Sequence, residues 1–135
     1  LGAPDMRHAI GYALHWPERR DLPVARLDLA AIGNLSFERP DEVRFPALRL
    51  AREVMATGGR AGAVFNAAKE SALDAFIAGQ SGFLDMAAVV EATLEGMDRE
   101  SSLAIPPQSL DCVANVDHLA RDMAMRTAQA RAVRR

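Results

Sequence analysis

The sequence predicts a mainly α protein: a C-terminal bundle of about four helices, preceded by one helix and an edge strand that read as the end of a mixed α+β domain. Three observations carry this. Half of the 135 residues are hydrophobic but only 5% are aromatic, so the core must be aliphatic and rich in alanine, the strongest helix former. From Pro46 onward, prolines, glycines and capping residues punctuate apolar residues at helical spacing. Between residues 21 and 44 that spacing is lost, and Pro23 and Pro40 interrupt the stretch.

In chain order, Asp5 is a good N-cap, and Met6, Ile10, Ala13 and Leu14 follow at the spacing of one buried helical stripe. Pro17 ends that helix at or before Trp16, because the residue before a proline is pushed out of the α region. Asn34-Leu35-Ser36-Phe37-Glu38 alternates as an edge strand does, and Arg39-Pro40-Asp41 turns into a linker. The expected boundary divides residues 1–40, the tail of the mixed domain, from residues 41–135, the bundle.

Pro46 opens the first bundle helix, with Leu48, Ala51, Val54 and Met55 inward and Gly58-Gly59 as its C-cap. A second helix runs from about Ala61 to Ala78, burying Val64 or Phe65, Ala68, Ala72, Phe76 and Ile77, and stops at Gly79. Asp85 is expected to cap a third, with Met86, Val90, Leu94 and Met97 inward. After the proline-stiffened SSLAIPPQ, Ser109 is expected to cap a short turn and Asp117 a final helix carrying Leu119, Ala120, Met123 and Thr127. The short connections favour antiparallel neighbours.

Composition and spacing narrow the function. The net charge of −2 provides no basic field for nucleic acid, and Arg121, Arg126, Arg131, Arg134 and Arg135 spread around a terminal helix whose dipole they complement. The lone Cys112 reads as a small buried hydrophobe in a reducing compartment. No apolar run approaches the ~20 residues that span a bilayer, so a cytoplasmic protein without a membrane partner is expected. His8, His15 and His118 lack metal-ligand spacing, there is no GxGxxG or P-loop, and Glu91 and Glu95 read as a solvated helix face. The chain therefore reads as lacking a self-contained active site. It opens LGAPDMR, in mid-pattern and without an initiator methionine, so a piece of a longer protein is expected.

Two stretches resist the bland reading. Gly2-Ala3-Pro4 lets backbone approach a neighbour closely, and Met6 offers an adaptable apolar surface at a helix start. In FNAAKESALDAF, residues 65–76, Asn66 and Glu70 share a helix face, and Lys69 is the only lysine of the chain. An amide buried without a partner is costly, so Asn66 must point to water or bond to a partner; Asn66 and Glu70 are expected to form a polar structural seam, with Lys69 in solvent.

Together these stretches resemble 1-deoxy-D-xylulose 5-phosphate reductoisomerase. The matching text is Gly2-Ala3-Pro4-Asp5-Met6-Arg7, Tyr12-Ala13-Leu14, Trp16-Pro17-Glu18-Arg19, Leu27-Asp28-Leu29, Leu35-Ser36-Phe37-Glu38 and Pro40-Asp41. It continues through Arg44-Phe45-Pro46, Leu48-Arg49-Leu50-Ala51, Asn66-Ala67-Ala68-Lys69-Glu70, Ala75-Phe76, Gly82-Phe83-Leu84-Asp85 and Val116-Asp117. The resemblance implies an NADPH-dependent enzyme of non-mevalonate isoprenoid biosynthesis that converts 1-deoxy-D-xylulose 5-phosphate to 2-C-methyl-D-erythritol 4-phosphate. It also implies a dinucleotide-binding domain, a central catalytic domain that forms a homodimer, and a C-terminal helical bundle.

On that resemblance, the chain is the end of the catalytic domain plus the bundle. The divalent metal (magnesium, manganese or cobalt) and the sugar-phosphate substrate would be held by residues outside it, so catalytic and metal-binding residues are none here. Pro4 and Met6 match the residues beside the nicotinamide, and the chain alone is expected to be inactive. The family pattern Asn-Ala-Ala-Asn-Glu is met by Lys69 at its fourth place, so no role is carried to that position. The competing reading is a free-standing helical interaction module whose groove receives a partner helix.

Overall fold

The computed structural model describes residues 2–132. The chain divides into two compact units between Arg39 and Pro40.

The first unit contains helix α1, Arg7–His15, and the single-turn helix α2, Leu29–Ile32. Met6 occupies the N-cap position of α1, and the Asp5 carboxylate accepts the Arg7 backbone N–H at 2.9 Å. At the other end, His15 donates from Nδ1 to the Gly11 carbonyl at 2.7 Å, and Trp16 turns extended ahead of Pro17. The expected buried stripe does not form: Met6, Ile10 and Leu14 are all exposed, and burial falls on Gly11 instead. The returning segment packs on α1, and Leu22 lies so close that a Cβ at Gly11 would sit 2.5 Å from its methyl carbon.

Helix α2 was not anticipated. Asp28 caps it by accepting the N–H groups of Ala30 and Ala31, both at 3.0 Å, and Gly33 at φ 72° ends it. The expected edge strand over residues 34–38 is not formed. A strand is defined by ladder hydrogen bonds, and no described residue supplies a partner strand.

The second unit is a bundle of α3, Pro46–Thr57, α4, Ala61–Ile77, α5, Phe83–Glu100, and α6, Leu110–Ala132. Helix α4 packs against the other three. Its inner face is almost entirely small, with Ala61, Ala67, Ala68, Ser71 and Ala72 buried beside Val64. Helix α6 answers with Val116, Ala120, Ala124 and Ala128 at i, i+4 intervals. Two small faces let the helix axes come close, which explains how a core so poor in aromatics fills its volume. Helix α5 adds Val89, Val90 and Met97, and its buried Thr93 satisfies its hydroxyl by donating to the Val89 carbonyl at 2.8 Å.

Local expectations are corrected in each of the four bundle helices. In α3 the buried residue is Leu50, 2% exposed, whereas Leu48 and Met55 face outward. Both sets have helical spacing, and the neighbouring helices select between them. Phe76 and Ile77 at the end of α4 are exposed, having run past the packed length. Gly82, not Asp85, is the N-cap of α5; Asp85 reaches back from the third position to accept the Gly82 N–H at 2.8 Å. Ser109 starts one continuous α6, its hydroxyl accepting the Cys112 N–H at 3.1 Å, and Asp117 lies inside that helix. Leu119 is consequently exposed, and Cys112 is half-buried rather than a core residue.

Candidate functional site

In the first unit the helix entry from Gly2 to Arg7 carries the most organised polar geometry. The Asp5 N–H donates to the Ala3 carbonyl at 2.8 Å, forming a tight turn around Pro4. The Arg7 guanidinium then closes on Asp5: Nε donates to both carboxylate oxygens at 3.0 Å, and Nη2 to Oδ2 at 2.6 Å. Its remaining nitrogen, Nη1, donates to the Pro23 carbonyl at 2.8 Å. This side-chain hydrogen bonding by Arg7, then the Arg7 backbone N–H, holds the Asp5 carboxyl down at about 2. Between the two partners Met6 stands in solvent, 72% exposed, and Pro4 is exposed with it.

Beside this entry lies a cavity of about 350 Å³ lined by Gly2, Ala3, His8, Arg20 and Leu22 among others. Further along α1, Tyr12 meets Trp16 edge to face at 5.4 Å, and the Arg19 guanidinium lies 5.4 Å from the Tyr12 ring centre. The expected pair Pro4 and Met6 therefore share one exposed turn, which the Asp5–Arg7 pair holds.

In the bundle, Asn66 donates from Nδ2 to Glu70 Oε1 at 3.1 Å. Arg121 of α6 donates from Nη2 to the other Glu70 oxygen at 2.7 Å and from Nε to Asp117 Oδ2 at 2.7 Å. Arg121 thus bridges two carboxylates, and α4 is tied to α6 through polar groups at the edge of the alanine interface. The hydrogen bond from Arg121, then that from Asn66, lowers the Glu70 carboxyl below its usual range. Asp117, then Glu70, pushes the Arg121 guanidinium up. Lys69, next to Glu70 in sequence, points to solvent.

Glu91 departs from its expected role as mere solvation. It accepts from Arg49 Nη2 at 2.5 Å, linking α3 to α5, while Arg49 Nη1 also reaches Glu53 at 2.9 Å. Sequence reasoning missed Arg7, Arg49 and Arg121 as the cations of these three clusters. Their near partners were visible as Asp5 at i−2, Glu53 at i+4 and Asp117 at i−4, but the distant ones were not. Among the described residues no three His, Cys, Asp or Glu side chains come together as a metal site, and no helix is long and apolar enough to cross a membrane.

Residues 1–123 match the family described as the DXP reductoisomerase C-terminal domain. Among curated relatives, the 1-deoxy-D-xylulose 5-phosphate reductoisomerase of Ruegeria pomeroyi is 70% identical over 121 residues, covering 90% of this chain and 31% of the relative. That of Cereibacter sphaeroides is 60% identical over 135 residues, all of this chain and 34% of the relative. Among solved structures, the Zymomonas mobilis enzyme in complex with NADPH superposes with a TM-score of 0.75 at 42% identity, over 96% of this chain and 33% of that one. A DOX-P reductoisomerase structure with fosmidomycin and magnesium gives 0.78 at 32% identity, over 98% of this chain and 34% of that one. The chain spans about a third of the length of the proteins it matches. A family match over residues 1–123, joined to such relatives, does not favour a free-standing interaction module: the chain belongs to the DXP reductoisomerase C-terminal domain family.

Proposed function

We propose that this chain is the C-terminal part of an NADPH-dependent reductoisomerase that converts 1-deoxy-D-xylulose 5-phosphate to 2-C-methyl-D-erythritol 4-phosphate. The observation that carries the reading is the family match over residues 1–123, because the relatives bear that enzyme's name. On this reading residues 1–40 finish the catalytic domain, residues 41–135 form a bundle that buttresses it, and the whole is a cytoplasmic homodimer.

NADPH supplies the hydride when bound. Pro4 and Met6 form the apolar wall at its nicotinamide end, where they exclude water and orient the ring. An exposed methionine beside a rigid proline suits that role: both offer a surface that packs on a flat ring without competing for protons. The divalent metal, magnesium, manganese or cobalt, does not fit the residues present, since the described chain gathers no three ligands for it. Its carboxylates belong to the preceding part of the enzyme, as do the groups that hold the sugar phosphate.

The test is NADPH oxidation on addition of 1-deoxy-D-xylulose 5-phosphate and magnesium. The protein extended upstream through its dinucleotide-binding segment should turn over, and the 135-residue chain alone should not. An upstream reading frame without such a segment, or turnover by the isolated chain, contradicts the proposal.

A further inference from the structure

We infer that Asp5 and Arg7 are a positioning pair that fixes Met6 for the nicotinamide end of the pocket; this rests on the Pro4 and Met6 reading above. Met6 has little packing of its own in this unit, so its place is set by the backbone on either side of it. That backbone is tied at both neighbours. Asp5 precedes it in a turn closed by the Ala3 carbonyl, and Arg7 follows it with its N–H on the Asp5 carboxylate.

The guanidinium adds what a backbone bond cannot. One edge takes both Asp5 oxygens while Nη1 reaches the Pro23 carbonyl, so the helix start is joined to the returning segment 16 residues later. One helical turn on, Leu22 presses on Gly11, where no side chain fits. These two contacts set the register of the returning segment along α1. A lysine ammonium lacks the planar fork needed to hold two carboxylate oxygens on one edge and a carbonyl beyond them. Exposed ion pairs add little to stability, so loss of this pair should free Met6 without unfolding the protein.

The experiment uses the full-length enzyme and four forms: Met6→Ala, Arg7→Gln, Arg7→Lys and the Met6→Ala, Arg7→Gln double variant. Turnover, the KM for each substrate, thermal midpoint and the primary isotope effect with NADPH deuterated at the transferred hydrogen are measured. Arg7→Gln should lower kcat about tenfold, within the roughly hundredfold that a misplacement of about 1 Å can cost. The isotope effect should rise while the thermal midpoint and the KM for the sugar phosphate stay near wild type. Arg7→Lys should fall between. The double variant should be no slower than the slower single one, because both changes remove the same placed side chain.

Wild-type turnover in Arg7→Gln, a loss that multiplies with that of Met6→Ala, or a loss explained by a lowered thermal midpoint overturns the inference. A silent Met6→Ala instead removes the parent reading of the nicotinamide wall. Damage in Met6→Ala with none in Arg7→Gln removes the positioning pair alone. Should Arg7→Gln be insoluble, Asp5→Asn takes its place, since it keeps an acceptor for the Arg7 N–H while removing the charge, and the same losses are expected.

Discussion

Glu70 sits where its two carboxylate oxygens have two different donors, one from its own helix at Asn66 and one from α6 at Arg121. This explains an asparagine in the middle of a helix, where the residue type is otherwise indifferent or poor. Asn66 occupies Oε1 and so orients Oε2 toward Arg121. Lys69 points to solvent and adds only the weakest of the Coulombic pulls on Glu70, so Lys69→Asn should change stability by no more than about 0.5 kcal/mol, as surface substitutions do. Glu70→Gln should lower the thermal midpoint at neutral pH. The folded carboxyl titrates below its ordinary 4.5, so its contribution is fully present above that value and is lost as pH falls through the lower folded one. Thermal scans from neutral pH to about pH 3 should therefore show wild type and Glu70→Gln converging on the acid side. A constant gap across that range would mean that Glu70 acts through packing and not through its charge. The Asn66–Glu70 pair was legible because i, i+4 spacing on a helix is a local fact. Arg121 was not, because it lies 51 residues away and only the packing of α4 on α6 brings it near.

At the scale of elements, the turn between α3 and α4 lies against the backbone of Leu103 and Ala104. Gly58 has φ 66° and ψ −142°, and Gly59 has φ 52°, conformations that side chains rarely adopt. A Cβ at Gly58 would meet open space, but one at Gly59 would lie 2.4 Å from the Leu103 carbonyl oxygen. Beside it the Arg60 N–H donates to the same carbonyl at 2.8 Å, and the Arg60 guanidinium reaches Ser101 Oγ and the Ser102 carbonyl. The turn is thus seated on the α5–α6 connection at backbone distance. Gly58→Ala should cost about 1–3 kcal/mol from backbone strain alone, and Gly59→Ala should cost more because it adds a collision with main chain that cannot rotate away. Urea unfolding of the two variants compares them directly; an equal or smaller loss for Gly59→Ala would refute the seating. Such punctuation was readable in advance: Pro46, the Gly58-Gly59 pair and Gly79 all mark ends where the structure has them. The phase of α3 was not, since Leu48 and Leu50 both lie on helically spaced stripes and burial of Leu50 depends on the neighbours. Helix α2 was legible and overlooked: Asp28 before Leu-Ala-Ala-Ile and Gly33 after it are complete start and stop signals.

Across the whole molecule, the buried apolar side chains of the described residues all fall between Leu50 and Ala128, while Gly11 is the only buried one among the described residues of the first unit. The second unit therefore has a core complete in itself, formed by two clusters that between them draw on all four helices and on Leu103. The first unit instead exposes Ile10, Leu14, Trp16, Leu29 and Phe37, an excess of apolar surface for so short a segment. Its order rests on local caps, on the contact of Leu22 with Gly11 and on the exposed Arg7 cluster that reaches the Pro23 carbonyl, none of which buries a core. It follows that residues 40–135 should fold alone as a cooperative helical unit. Their thermal midpoint, followed by circular dichroism, should lie within about 5 °C of that of the 135-residue chain, a shift corresponding to ~1 kcal/mol for a domain of this size. Residues 1–39 alone should show no cooperative transition, because no buried core is available to make their unfolding all-or-none. Loss of helical signal from the 40–135 fragment would show that the alanine interface between α4 and α6 is too shallow to hold the bundle without the first unit.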